Sequence, residues 1–215
     1  MGLPTSSTDR SGLIVADTSA VINLNASGCA ERIIRALPQK FVVVDVVPGE
    51  LEEGRLRGRQ DAELLRELVG SGTVEIATLD DLSAAHFEKL VVGPAVSTLE
   101  DGEAATIAYA ISQDGIAVID ETKARRLCAE MFPELSICST VDLFALPEVR
   151  RILGETALAE AVFQALLRGR MRVFPEHIEW VVQLIGIEKA SACSSLPASA
   201  RRLLELPVAL KATHQ

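Results

Sequence analysis

The chain has 215 residues, of which 48% are hydrophobic and 24% charged, and its net charge is −9. This balance is typical of a soluble globular protein and argues against a strongly basic nucleic-acid-binding surface. The acid is concentrated in residues 1–145, which hold 12 Lys and Arg against 23 Asp and Glu, whereas residues 146–215 hold 9 against 7.

Targeting signals are missing from the printed sequence. No apolar run approaches the roughly 20 residues that span a bilayer. The opening MGLPTSSTDRSG lacks the basic and apolar regions of a signal peptide. The four cysteines are scattered without a CxxC pair, which favours reduced thiols over disulfides or zinc ligands. We therefore expect a cytoplasmic protein that does not enter a membrane.

Short apolar runs alternate with segments of helical spacing in the first two-thirds of the chain. The predicted strands are LIVA before Asp17, FVVVDVVP (41–48), TVEIATL (73–79), GIAVIDE (115–121) and a short run within ELSICST. This alternation predicts an α/β fold with a central parallel sheet, whose ligand sites lie at the carboxyl ends of the strands. After Pro147 the pattern is helical only.

Two aspartates directly follow predicted strands. Asp17 comes after LIVA and before Thr18 and Ser19, and Asp120 ends GIAVI. Carboxylates at these places suit a metal site at the carboxyl edge of the sheet. Each aspartate could equally cap the helix that follows.

Two glutamates complete the candidate site. Glu103 lies near the start of the predicted helix GEAATIAYAIS, where the helix dipole alone would favour an acid. Glu50 follows the second strand, and its neighbours Glu52 and Glu53 leave a solvated acidic turn as the alternative. Glu50 is preferred as the candidate because Val47 lies three residues before it and Leu51 directly after it, which is helical spacing around a partly buried carboxylate.

Acidic side chains of this kind suit phosphodiester hydrolysis. The reaction needs an activated water, charge relief on the phosphate and a stabilised leaving oxygen, and divalent cations can supply all three. Carboxylate oxygens are the hard ligands that hold such cations.

In chain order, ADTSAVINL, VVPGELEEG, LEDGEAATIAYA and VIDETKARRLC resemble the successive acidic motifs of PIN-domain nucleases. The resemblance is to a prokaryotic branch described as predicted nucleic-acid-binding, which is related to VapC-type toxins. It implies a three-layer α/β/α PIN-like domain over residues 12–147. The polar opening predicts a disordered N-terminus at 1–11, and the pattern after Pro147 predicts a helical C-terminal extension at 148–215.

The resemblance also implies chemistry. Asp17, Glu50, Glu103 and Asp120 would be the catalytic acids. Three of these, Asp17, Glu103 and Asp120, would hold Mg²⁺ or Mn²⁺, with Ser19 supporting the first. The activity would be cleavage of single-stranded RNA by a homodimer, with an antitoxin protein as a candidate partner.

Basic residues beside these motifs are candidates for RNA contact. Arg55, Arg57 and Arg59 follow the Glu50 motif, and Lys123 and Arg125 follow Asp120. An exposed salt-bridging loop is an equally good interpretation of the first three. For Lys123 and Arg125, balancing the charge of the acids is an equally good interpretation.

Two other functions are compatible with parts of the pattern. One is a catalytically silent PIN-like module that binds nucleic acid or a partner. The other is a haloacid-dehalogenase-like phosphatase, which is disfavoured because Asp17 is followed by Thr18 and Ser19 and not by a DxDxT pattern. Phosphate-binding P-loop and dinucleotide-binding motifs are absent from the sequence.

Overall fold

A computed structural model describes residues 12–55 and 58–201. Its five strands form one parallel sheet in the order β3-β2-β1-β4-β5. The strands are β1 (Leu13–Ala16), β2 (Lys40–Val44), β3 (Glu75–Ala77), β4 (Ile116–Val118) and β5 (Ser136–Cys138). This arrangement confirms the predicted parallel sheet. The predicted disorder at 1–11 and the last residues of the predicted extension, 202–215, lie outside the described residues.

Helices follow the strands and continue beyond the last of them. They are α1 (Thr18–Ala26), α2 (Ala30–Ala36), α3 (Val46–Arg55), α4 (Asp61–Gly70), α5 (Asp81–Val91), α6 (Asp101–Ser112), α7 (Thr122–Met131), α8 (Thr140–Ala145), α9 (Pro147–Leu153), α10 (Glu155–Gln164), α11 (Ile178–Ile185), α12 (Ile187–Ala192) and α13 (Ala198–Arg201). A π-helical turn, Ala165–Gly169, directly follows α10.

The three central strands, β1, β2 and β4, are almost entirely buried on both faces of the sheet, which explains why they are apolar runs and do not alternate. In β1, Ile14 and Ala16 face one core cluster and Val15 faces another, and all three are fully buried. Helices therefore cover both sides of the sheet, as the predicted three-layer fold requires. Strand order reverses at β1, so the crevice at its carboxyl end is the expected ligand site.

One predicted boundary differs. The predicted second strand ran from 41 to 48, whereas β2 ends at Val44 and α3 begins at Val46. Pro48 lies in the first turn of α3, where its missing N–H would have had no helical partner in any case. Val47 is fully buried, so packing outweighs the β preference of a branched side chain.

The extra C-terminal helices are confirmed as far as Arg201. Their apolar faces, including Val149, Leu158 and Val181, belong to the same core cluster as Ile14 and Leu24. The extension therefore packs on the sheet domain. No helix among the described residues is long and apolar enough to cross a membrane.

Candidate metal centre

Two aspartates lie at the carboxyl ends of the two central strands. Asp17 directly follows β1 and Asp120 lies two residues beyond β4, and these strands pair with Ala16 opposite Val118. Their relative exposures are only 2% and 4%. The crossover of the sheet thus buries two carboxylates side by side, where an isolated charge is costly unless something compensates it.

Asp17 begins α1 as its N-cap. Its Oδ1 accepts a hydrogen bond from the Ala20 N–H at 2.7 Å. The Ser19 hydroxyl lies 2.9 and 3.0 Å from the two carboxylate oxygens. The helix-cap interpretation is therefore correct for this residue, and it is compatible with metal binding because capping fixes the carboxylate in place.

Asp120 does not cap the helix that follows it. Glu121 does so, because its carboxylate accepts from the Lys123 N–H at 2.7 Å. Asp120 accepts from the Asn23 amide at 2.8 Å and from the Thr140 N–H and hydroxyl at 2.7 and 2.5 Å. The carboxylate is thus held by α1 and by the start of α8.

Glu103 lies in the first turn of α6 and is partly exposed. Its side chain lines a cavity of about 240 Å³. Asp120, Glu121 and Ser19 line the same cavity. Asp17 lies behind this wall, joined to it through the Ser19 hydroxyl.

Glu50 takes a neighbouring position. It accepts a hydrogen bond from the Thr18 hydroxyl and another from the Gly102 N–H at 3.0 Å. A Cβ at Gly102 would lie 2.8 Å from the Glu50 Cδ, so a larger residue here would displace the Glu50 carboxylate. Glu50 therefore links α1, α3 and the start of α6, and it is not among the residues that line the cavity.

Burial raises the pKa values of three of the acids. Burial is the main cause that raises the pKa of Asp17 to about 8, followed by the charge of Asp120. Burial, then the nearby Glu121 and Glu100, raises the pKa of Glu103 to about 7. Burial also raises the pKa of Asp120, against the hydrogen bonds from Thr140 and Asn23. A divalent cation would favour the ionised forms of all three acids.

The predicted RNA-contacting residues that the structure describes already have protein partners. Arg55 pairs with Glu52 and lies 3.9 Å from Glu63. The Lys123 ammonium donates to the Ala95 carbonyl at 2.7 Å. Arg57 lies outside the described residues.

Arg125 is also engaged. Its guanidinium donates to the Ile119 carbonyl at 3.3 Å and lies over the Phe174 ring, 4.5 Å from the centroid. Three arginines border the cavity. Arg59 belongs to the basic cluster after the Glu50 motif, whereas Arg170 and Arg172 were not singled out by the sequence analysis.

The residues that hold Asp120 were also missed. Asn23 carries a weak signal, since an asparagine within the apolar helix TSAVINLNA is unusual. Thr140 carries none, because it reads as an ordinary turn residue after β5. Arg170 and Arg172 carry no sequence signal either, because no local pattern relates them to the acids.

The carboxylate oxygens suit a hard cation, but the acidic side chains are widely spaced for metal ligands. In the regions 12–55 and 58–201, no three His, Cys, Asp or Glu side chains are spaced to hold a metal ion. Mg²⁺ usually takes only one or two carboxylates and keeps several waters. A site built on Glu103 and Asp120, with Asp17 behind them, meets that requirement.

Comparison with known proteins identifies one family. A family model described as a PIN domain matches residues 13–187, which includes the sheet, all four acids and most of the C-terminal helices. No curated protein and no solved structure matches the chain significantly.

Proposed function

Since the chain belongs to the PIN-domain family and has its nuclease-type fold, we propose that it is a metal-dependent endoribonuclease that hydrolyses phosphodiester bonds in single-stranded RNA. One observation carries the proposal. Asp120 and Glu103 line one cavity together with three arginines, Asp17 lies directly behind its wall, and the pKa values of all three acids are raised. Such an arrangement is typical of a site for a cation and a phosphate.

Mg²⁺ or Mn²⁺ would be held by Asp17, Glu103 and Asp120. When bound, the cation supplies charge relief on the phosphate and lowers the pKa of water. The choice between the two ions rests on the oxygen-only donor set, which suits both.

The protein's own residues fix and tune these acids. Ser19 and the Ala20 N–H orient Asp17, and Asn23 and Thr140 orient Asp120. The partly exposed side chain of Glu103 lines the cavity, so a cation that enters from solvent can reach its carboxylate. These roles account for why two of the acids are buried and one is reachable from solvent.

Glu50 has a positioning role in this scheme. Its carboxylate accepts from the first turn of α6 through Gly102, next to Glu103, and from Thr18, next to Asp17. It therefore sets the distance between the two elements that carry the metal-binding acids.

A silent nucleic-acid-binding module is the second candidate. It is favoured by the open spacing of the acids in the described part of the chain. It predicts RNA binding that neither Mg²⁺ nor Mn²⁺ converts into cleavage.

A cleavage assay separates the two candidates. Purified protein is mixed with a single-stranded RNA oligonucleotide that carries a fluorophore and a quencher, with Mg²⁺, with Mn²⁺ or with EDTA. Nuclease function predicts metal-dependent cleavage that Asp120→Asn reduces by orders of magnitude. Glu134→Gln, which removes an exposed acid far from the cavity, serves as the matched control. Full activity in EDTA or in Asp120→Asn would contradict the proposal.

Homodimer formation and an antitoxin partner are further proposals, which follow only from the relation to VapC-type toxins. Light scattering tests the first, and co-purification with the product of an adjacent small gene tests the second.

A further inference from the structure

Two arginines from the C-terminal extension border the acidic cavity. Arg170 and Arg172 follow the π-helical turn after α10. Both arginine side chains are exposed. Met171, which lies between them, and Val173, which follows them, are buried, with exposed fractions of 0% and 8%. This alternation anchors the segment in the core and leaves both guanidinium groups on the solvent side.

The segment is tied to the elements that hold the acids. The Met171 N–H donates to the Ala165 carbonyl at 3.1 Å. The Arg172 guanidinium donates to the Thr122 hydroxyl at 3.0 Å, in the first turn of α7 and two residues after Asp120.

Gly169 brings the segment against α1. A Cβ at this residue would lie 2.5 Å from the Asn23 Oδ1 and 3.2 Å from the Asn23 Cα. The same Asn23 donates to Asp120. Close packing of the backbone at Gly169 against α1 therefore places the two arginines next to the metal-binding acids.

Arg170 occupies a backbone conformation that disfavours it. Its φ is 59°, in the left-handed region, which disfavours a residue with a Cβ. Glycine would adopt this conformation more readily. Arg170 caps the end of the π-helical turn in this conformation, because its N–H donates to the Ala165 carbonyl, and its side chain lies at the rim of the cavity.

The two arginines also differ from most of the others in their partners. Within 12–55 and 58–201, Arg170 makes no side-chain hydrogen bond or ion pair, and Arg172 bonds only to Thr122. The third arginine of the cavity, Arg59, is paired with Asp61 at 2.7 Å. Most donors of Arg170 and Arg172 thus remain available to a ligand.

We propose that Arg170 and Arg172 bind phosphates of the single-stranded substrate that flank the bond to be cut. This assignment rests on the proposed nuclease function. A cavity walled by acids would repel a polyanion, and cations at its rim reverse that repulsion. Guanidinium groups suit the task because they donate two parallel hydrogen bonds to one phosphate. The C-terminal extension thereby supplies the positive charge for substrate binding that an acidic chain otherwise lacks.

The test measures binding apart from cleavage. A fluorescent single-stranded RNA oligonucleotide is titrated in EDTA, over a salt series, with the full-length parent and with Arg170→Gln/Arg172→Gln. We expect the double variant to bind at least tenfold more weakly. The slope of log affinity against log salt should fall by about 1.4, or 0.7 for each lost contact.

Two further variants control for charge and folding. Arg168→Gln removes an exposed arginine of the same segment that lies outside the cavity, and it should bind like the parent. Arg170→Gly removes the side chain and relieves the backbone, so it should fold and still lose affinity.

The possible outcomes test the phosphate-binding role and the nuclease function separately. A double variant that binds like Arg168→Gln, or a parent that does not bind the oligonucleotide at low salt, overturns the phosphate-binding role. Arginine-dependent binding in a parent that neither metal activates would instead overturn the nuclease function and leave the phosphate-binding role standing.

Discussion

Asn23 and Asp120 are joined by a hydrogen bond of 2.8 Å although 97 positions separate them in the chain. Asn23 belongs to α1, the helix that begins directly after Asp17. One helix therefore sets the position of both aspartates, because Asp17 is its N-cap and its Asn23 side chain holds Asp120. The distance between the two acids is thus a property of α1 and not of the strands alone.

Asn23→Ala should lower metal-dependent cleavage by roughly 10–100-fold, as expected for a lost partner of a metal ligand. It should also lower the free energy of unfolding by about 1–3 kcal/mol, because Asp120 loses a donor while buried. Cleavage rate and urea unfolding measure the two effects.

Asn25→Ala is the matched control for Asn23→Ala. Asn25 is a buried asparagine of the same helix that bonds to Asp61 at 3.3 and 3.4 Å, outside the metal centre. We expect it to lose stability while its response to metal stays that of the parent. Equal losses of cleavage in both variants would mean that Asn23 acts only through the stability of α1.

The second prediction concerns pH. The folded pKa of Asp17 is about 8 against 3.8 in the unfolded chain, so the folded state binds the extra proton between these values. Stability of the metal-free protein should therefore fall as pH rises from about 4 to about 8. In Asp17→Asn this fall should be smaller, and because asparagine is an equally good N-cap, α1 should remain formed.

Asp80→Asn is the control for the pH experiment. Asp80 also caps a helix, α5, and accepts from the Ser83 N–H at 2.8 Å, but its pKa is lowered by bonds to Ser83. Its removal should leave the loss of stability between neutral pH and pH 8 unchanged. Thermal melting in EDTA across the pH range measures all three proteins. Parallel curves for the parent and Asp17→Asn would mean that Asp17 is ionised in the folded protein at neutral pH.

The third prediction concerns metal binding. Mn²⁺ should raise the melting temperature of the parent, since a ligand at 100 times its Kd stabilises by about 2.7 kcal/mol. The rise should be smaller in Asp17→Asn and in Asp120→Asn, and unchanged in Glu134→Gln. Differential scanning fluorimetry with and without Mn²⁺ measures the shifts. Equal shifts in all four proteins would place the Mn²⁺ site elsewhere.

Local patterns in the sequence predict the sheet and the position of two acids on it. A buried parallel strand is a continuous apolar run, so LIVA and GIAVI reveal both β1 and β4 and show that Asp17 and Asp120 follow them. The parallel arrangement then brings both to one edge. No side-chain contact is needed for that inference.

The remaining parts of the candidate site depend on contacts between distant segments. Thr140 reaches Asp120 from 20 residues away, and Arg170 approaches the cavity only because the C-terminal helices pack against α1. Neither relation leaves a periodic signal in the chain. Glu50 was singled out by its apolar neighbours, but its partners, Thr18 and Gly102, became apparent only in three dimensions.

The last prediction concerns the close approach of Glu50 to Gly102. Gly102→Ala places a methyl group 2.7 Å from the Glu50 Oε1 and 2.8 Å from its Cδ, so the carboxylate must leave the Gly102 N–H. We expect a loss of about 1–3 kcal/mol in unfolding free energy, measured in urea, together with slower cleavage. Gly49→Ala, in open space within α3, should instead gain about 0.5–1 kcal/mol from helix propensity. Because Glu50→Ala removes the obstructing carboxylate, adding Gly102→Ala to it should cost much less than in the parent. Equal costs in both backgrounds would show that the methyl group collides with something other than Glu50.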